Sequence, residues 1–288
     1  MLPPSVVAVL LALCCSALWA VANIYVRRAG IAVGNLRAMF WAQLVGSAVM
    51  IPIALALDGW PGAPNWRDLA IAGAGSALGY YGMVVAFRTG ALSAVVPIVT
   101  AWSVPAAIAG VVWSSDDPTP LQWIGGAMIL VGAVGNGALA TREDPGEHTP
   151  TTWSTLAWAA GSAIGFGIMA AGTARMRPVL GTVGVIPAVW VAQWVLLSPL
   201  VLRRDVHALP NREAWPSVLG MALFEATGFV SFTLASKLAP VAVVSPPASL
   251  SSLLTVVYGA VVLGERLSAW RWALVVLAGV GAGVVGAG

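Results

Sequence analysis

Charge is what this sequence has least of. Only 9% of its 288 residues are Asp, Glu, Lys or Arg, against about 25% in an ordinary soluble domain. So few charges cannot coat a water-facing surface, and a soluble globule is excluded. Histidine is almost missing, with two residues, and cysteine is limited to the adjacent pair Cys14 and Cys15. Neighbouring cysteines cannot staple distant segments and form no metal-ligand pattern. Both read as small buried apolar side chains. No phosphate-cradling glycine loop is present, so ATP is not indicated as an energy source. Basic residues outnumber acidic ones by only 14 to 11 and are scattered among segment ends, which excludes nucleic acid as a partner.

Apolar length is what the sequence has instead. Hydrophobic residues make up 59% of the chain and the mean hydropathy is +0.89. Ten stretches can cross a bilayer: 5–26, 37–57, 68–87, 93–113, 120–140, 152–173, 182–202, 215–236, 241–263 and 267–287. Each is close to the roughly 20 residues that a spanning helix needs. Turn-forming residues separate them, as in Asp58-Gly59-Trp60-Pro61-Gly62 and Asp116-Asp117-Pro118. The first stretch lacks the basic flank of a cleaved secretory signal and reads as a retained helix. Continuous apolarity, without period-two alternation, rejects a β-barrel. The expected fold is an all-α integral membrane bundle of ten transmembrane helices. Gly75 and Gly79, Gly161 and Gly165, and Gly279 and Gly283 are each four apart, a spacing that lets helix backbones approach closely. Trp60, Trp66, Trp153, Trp215 and Trp270 sit at segment ends as interfacial anchors.

The chain also repeats itself. An offset of 149 residues aligns 79–138 with 228–287 without a gap, and 13 of the 60 positions are identical, where so biased a composition gives about five or six by chance. Pro97 meets Pro246, Ser103 meets Ser252, Gly132 meets Gly281, and Asp116 meets Glu265. The chain divides into a first five-helix repeat over 1–140, a linker over 141–151 and a second repeat over 152–288. Five crossings per copy turn the second copy upside down relative to the first. Such inverted repeats characterise secondary transporters, in which exchanging the conformations of the halves moves a central site from one side to the other.

These residues resemble a known family, the ten-helix EamA-type branch of the drug/metabolite transporter (DMT) superfamily. The resemblance rests on Ala86-Phe87-Arg88-Thr89-Gly90-Ala91-Leu92-Ser93 followed by Pro97. It recurs in Ala235-Ser236-Lys237-Leu238-Ala239-Pro240 followed by Pro246, then Gly264-Glu265-Arg266-Leu267-Ser268, Trp272 and Gly279. The first copy departs in having Ser115-Asp116 in place of glycine-glutamate. The resemblance implies a carrier, often an exporter, of amino acids, metabolites or drugs through a cavity between the halves.

Polar and aromatic residues inside the spans are the candidate substrate contacts. Thr100 and Ser103 share a face of the fourth span, and Ser249 and Ser252 hold the matching positions of the ninth. Trp19 and Asn23 share a face of the first, Gln43 lies in the second, Tyr80 one turn beyond Ser76 in the third, and Trp190, Gln193 and Trp194 in the seventh. Each can also be explained by helix packing; as a set they suit an amphipathic solute. Glu225 stands apart as an acid near the middle of the eighth span. Placing an ionisable group there costs about 3 kcal/mol on insertion scales, so proton coupling or capture of an ammonium group is its candidate role. Glu265 and Arg266 read as anchors of a helix connection, and Arg88 and Lys237 as interfacial side chains.

The reading is a secondary transporter in a cell membrane, of the multi-pass bacterial inner-membrane kind, without cofactor or metal. It moves small metabolites such as amino acids by alternating access, with protons as a candidate coupling partner. One chain suffices for both halves, and oligomers are compatible with it. Drug efflux is the alternative; a channel or an intramembrane enzyme fits less well. Connections after odd-numbered spans carry ten Arg and those after even-numbered spans four Arg or Lys, which places the odd connections in the cytoplasm. The family resemblance implies the opposite, with cytoplasmic termini.

Overall fold

The computed structural model describes residues 2–89, 95, 98–143, 152–203, 206–251, 253–254, 257 and 267–287. Ser252, Glu265 and Arg266 lie outside these residues. Ten helices occur among the described residues: α1 (Pro4–Val33), α2 (Asn35–Leu57), α3 (Trp66–Thr89), α4 (Ser103–Ser114), α5 (Pro120–Glu143), α6 (Trp153–Leu180), α7 (Val185–Arg203), α8 (Trp215–Leu238), α9 (Val241–Ala248) and α10 (Ala269–Ala287). Seven are long and apolar enough to cross a membrane, and Ile98–Trp113 forms a shorter apolar segment. Each of the ten expected spans overlaps one of these helices, which in the fourth and ninth covers only part of the span. The fold is an all-helical membrane bundle.

Packing follows the repeat. If each helix of the first five is exchanged with the helix five later, the main contacts map onto themselves. The α3–α6 pair matches α8–α1, α3–α7 matches α8–α2, and α4–α6 matches α9–α1, while α5–α10 and α4–α9 are their own counterparts. Glycine permits the closest of these approaches. A Cβ on Gly165 would stand 2.4 Å from the Gly79 nitrogen and 2.6 Å from the Gly75 carbonyl oxygen, so α3 and α6 touch backbone to backbone. Between α5 and α10 the contact is symmetric in detail. A Cβ on Gly132 would lie 2.6 Å from the Leu274 carbonyl oxygen, and one on Gly281 would lie 2.7 Å from that of Gly125, each pair being the other shifted by 149. Gly279 and Gly283 face open space. The four-residue spacing therefore identified the packing face of α3 correctly and that of α10 wrongly, where Gly281 makes the contact.

Two helices are interrupted at matching depths. In the fourth span, Ala101 and Trp102 form a turn with three-residue bonds, Trp102 N–H to Val99 O (3.3 Å) and Val104 N–H to Ala101 O (3.0 Å). Pro105 cannot donate to Ala101, and its ring crowds that carbonyl. In the ninth, Pro246 and Pro247 remove two donors inside α9, and the chain turns at Ser249 and Leu250. Shifting 101–102 by 149 gives 250–251, so the interruptions coincide within a residue although different prolines cause them. Sequence alone marked both spans as continuous.

Adjacent Cys14 and Cys15 do not share an environment: Cys15 is buried and Cys14 exposed. Successive residues on a helix point about 100° apart, so both cannot face the core. Trp60, Trp66, Trp153 and Trp270 are exposed at helix ends, as interfacial anchors are, whereas Trp215 packs edge-on to Trp41 with ring centroids 5.7 Å apart.

Candidate functional site

Four helices bring one polar set together in the core. Glu225 on α8 is buried, and Tyr80 on α3 donates a hydrogen bond from its hydroxyl to Glu225 Oε1. One turn earlier on α3, the Ser76 hydroxyl donates to Gln193 Oε1 on α7. Gln193 Nε2 donates in turn to Gln43 Oε1 on α2 (3.0 Å), which also accepts from Trp194 Nε1 (2.8 Å). The Gln43 side chain lies beside both Tyr80 and the Glu225 carboxyl. Gln43 Nε2 and Glu225 Oε2 nonetheless complete no hydrogen bond among the described residues. Two buried polar atoms of the set, one a donor and one an acceptor, are thus without a partner among the described residues, a costly arrangement unless something meets them.

Aromatic rings wall this set, again in symmetry. Tyr80 meets Phe166 of α6 edge to face at 5.0 Å, and Phe229 meets Trp19 of α1 edge to face at 5.0 Å. Phe229 is Tyr80 shifted by 149. Beneath each pair lies a glycine with no room for a Cβ: Gly79 against the Phe166 ring and Gly228 against the Trp19 ring, each 2.6 Å from the nearest ring atom. Trp190 closes a further side, 5.8 Å from Phe229, and rests on Gly46. The symmetry is broken at the chemistry. Glu225 holds in the second repeat the place of Ser76 in the first, since 225 − 149 = 76, and Phe229 holds that of Tyr80. One half brings the acid and the other the Tyr80 hydroxyl that meets it.

The remaining expected residues are placed differently. Ser103 and Ser249 are buried at the crossing of α4 and α9, where Ser249 Oγ reaches Ser103 Oγ (3.2 Å) and the Pro246 carbonyl (2.7 Å), and Ser245 Oγ donates to the Ser103 carbonyl (3.3 Å). These hydroxyls hold the two interrupted helices to each other and stand apart from the acid. Thr100 is half-buried beside this crossing, and Ser252 lies outside the described residues. Asn23 is exposed, although its neighbour Ala22 is buried. Trp19 joins the two regions: its ring packs on Trp102 (5.9 Å), and its Nε1 donates to the Glu225 carbonyl oxygen (3.4 Å). Among the described residues no group of three or more His, Cys, Asp or Glu is placed to hold a metal.

Phe166, Phe229 and Trp102 were missed as site residues. Phe229 had a signal, being one turn from Glu225 and the repeat partner of Tyr80. The other two lack one, since their roles depend on which helices meet.

The profile of the EamA-like transporter family matches residues 6–137 and 153–287. A solved structure described as "Crystal structure of protein" superposes with a TM-score of 0.78 at 17% identity, covering 96% of this chain and 95% of its own. No curated protein matches the sequence.

Proposed function

The chain belongs to the EamA-like transporter family, a membrane transporter of the drug/metabolite type, and from that premise we propose that it is a secondary carrier of small amphipathic metabolites, amino acids foremost. One observation carries the reading: the buried carboxyl of Glu225, held by Tyr80, beside the unsatisfied Gln43 amide within a wall of aromatic rings. An ammonium group can donate to Glu225 Oε2 while a carboxylate accepts from Gln43 Nε2, and the rings receive an apolar body. Glu225 also serves as the proton-exchanging group. A proton and the solute's ammonium compete for one carboxylate, so loading from one side and release on the other couple their opposite movements. Alternation between the two halves carries out the exchange, and net export from a bacterial cell follows from an inward proton gradient.

The test is solute loss from proteoliposomes preloaded with mixed amino acids and metabolites, with and without a proton gradient. Selective, gradient-accelerated loss of amino acids supports the reading. Amino-acid retention equal to protein-free liposomes overturns it. Gradient-accelerated loss of aromatic cationic drugs from a second set of proteoliposomes preloaded with them, with amino acids retained, assigns the pocket to drug efflux, which the density of rings around Glu225 favours.

A further inference from the structure

A cavity of about 340 Å³ lies far from Glu225, where α2, α6 and α8 end on one face of the bundle. It is built by two connections bound to each other. Gly62 N–H donates to the Val179 carbonyl (3.0 Å), and Asp58 Oδ2 accepts from the N–H groups of Val183 (2.8 Å) and Gly184 (3.4 Å) at the start of α7. Gly181 takes φ 83° there, and a Cβ on it would meet the Asp58 side chain at 2.4 Å.

Three charged side chains line the cavity: Asp58, Arg177 and Lys237. The Asp58 carboxylate is committed to the α7 N-terminus, whose amides and dipole offset its charge. Arg177 makes one long bond, Nη1 to the Thr233 carbonyl at 3.5 Å, and Lys237 is exposed at the end of α8. Among the described residues the site therefore carries two cations against one carboxylate that is already held by backbone amides. A guanidinium fork beside a lysine point charge matches a phosphate group. Lys237 is twelve residues past Glu225 on the same helix, about 18 Å along its axis, so the cavity is separate from the central site.

The surroundings indicate where the phosphate comes from. Leu57, Val179 and Leu238 are exposed apolar side chains at these same helix ends, and Trp60 is exposed in the connection after α2. Apolar surface bordering a basic pocket beside an interfacial tryptophan is how headgroup sites of anionic lipids are arranged. We propose that this cavity binds a phosphate group through Arg177 and Lys237, and that the group is the headgroup of an anionic phospholipid.

Native mass spectrometry of the full chain in neutral detergent tests this, with phosphatidylglycerol, phosphatidylcholine and inorganic phosphate as probes. The expected result is retention of phosphatidylglycerol over phosphatidylcholine, with Lys237→Gln weakening it about fivefold and Lys237→Arg preserving it. Lys237 is exposed, so its loss leaves the packing intact; Arg177→Gln should act in the same direction. Inorganic phosphate that binds in a Lys237-dependent way while phosphatidylglycerol does not would keep the phosphate site and overturn the lipid as its source. Equal retention of both lipids, or of phosphatidylglycerol by wild type and Lys237→Gln, overturns the proposal.

Discussion

Glu225 shows how much a single residue can reveal and where that ends. Its depth in an apolar span marked it in the sequence, as did the amides of Gln43 and Gln193. The bonds that connect them depend on helix pairing, so neither the Ser76–Gln193 bond nor the Tyr80–Glu225 bond was legible. Asn23 misled for a related reason: four residues advance a helix about 40° past a full turn, and Asn23 is exposed although Ala22 beside it is buried. Two predictions follow from the geometry. Glu225→Gln should abolish acceleration of solute flux by a proton gradient at unchanged membrane abundance, measured in the proteoliposomes above. A persisting gradient response would remove Glu225 from coupling. Tyr80→Phe keeps the ring against Phe166 but strips Glu225 Oε1 of its donor. It should cost about 1–3 kcal/mol of stability, read as a lowered melting temperature in detergent; an unchanged melting temperature would mean that the hydroxyl does not hold the acid.

At the scale of elements, the repeat was the most legible feature, because it needed only a count of identities at one offset. Helix number and order followed from apolar length alone. The interruptions of α4 and α9 were not legible, since a proline inside a hydrophobic run can kink a helix or be accommodated, depending on what packs beside it. Glycine spacing sits between these cases. It names a face able to approach another helix without naming the partner, which is why it succeeded on α3 and failed on α10. Gly165→Ala forces a methyl into the backbone of α3 and should destabilise the protein by about 1–3 kcal/mol. Gly279→Ala adds its methyl in open space and should raise stability by about 0.5–1 kcal/mol through helix propensity. Thermal melts of both variants in one detergent check the contrast; equal losses would mean that α3 and α6 do not touch as described.

Across the described residues, carboxylates are concentrated at one end of the bundle. At the end bearing the connections after α2, α4, α6 and α8, carboxylates of the first repeat cap helices of the second: Asp58 the start of α7, and Asp116 the start of α9 through the Ala242 N–H (3.2 Å). Asp68 pairs there with Arg175 of α6 at 2.9 Å. At the opposite end, Tyr25 stacks on Phe224 at 5.6 Å, Trp41 Nε1 donates to the Ala208 carbonyl (2.9 Å), and Arg271 Nε donates to Asn136 Oδ1 (3.3 Å). In a carrier that works by alternation, opening at the carboxylate end has to part the Asp58 and Asp116 caps. Each is worth about 1 kcal/mol, so removing both should enlarge the population open at that end by about thirtyfold. The measurement uses Ser76→Cys as a buried reporter, with Cys14 and Cys15 replaced by alanine, and an impermeant maleimide applied from either side. With Asp58→Ala and Asp116→Ala, labelling should rise from the carboxylate end and fall from the other, because one conformation gains at the expense of its alternative. A rise from both sides would mean that the caps only hold the bundle tight, and that their loss loosens it without shifting a balance between two states.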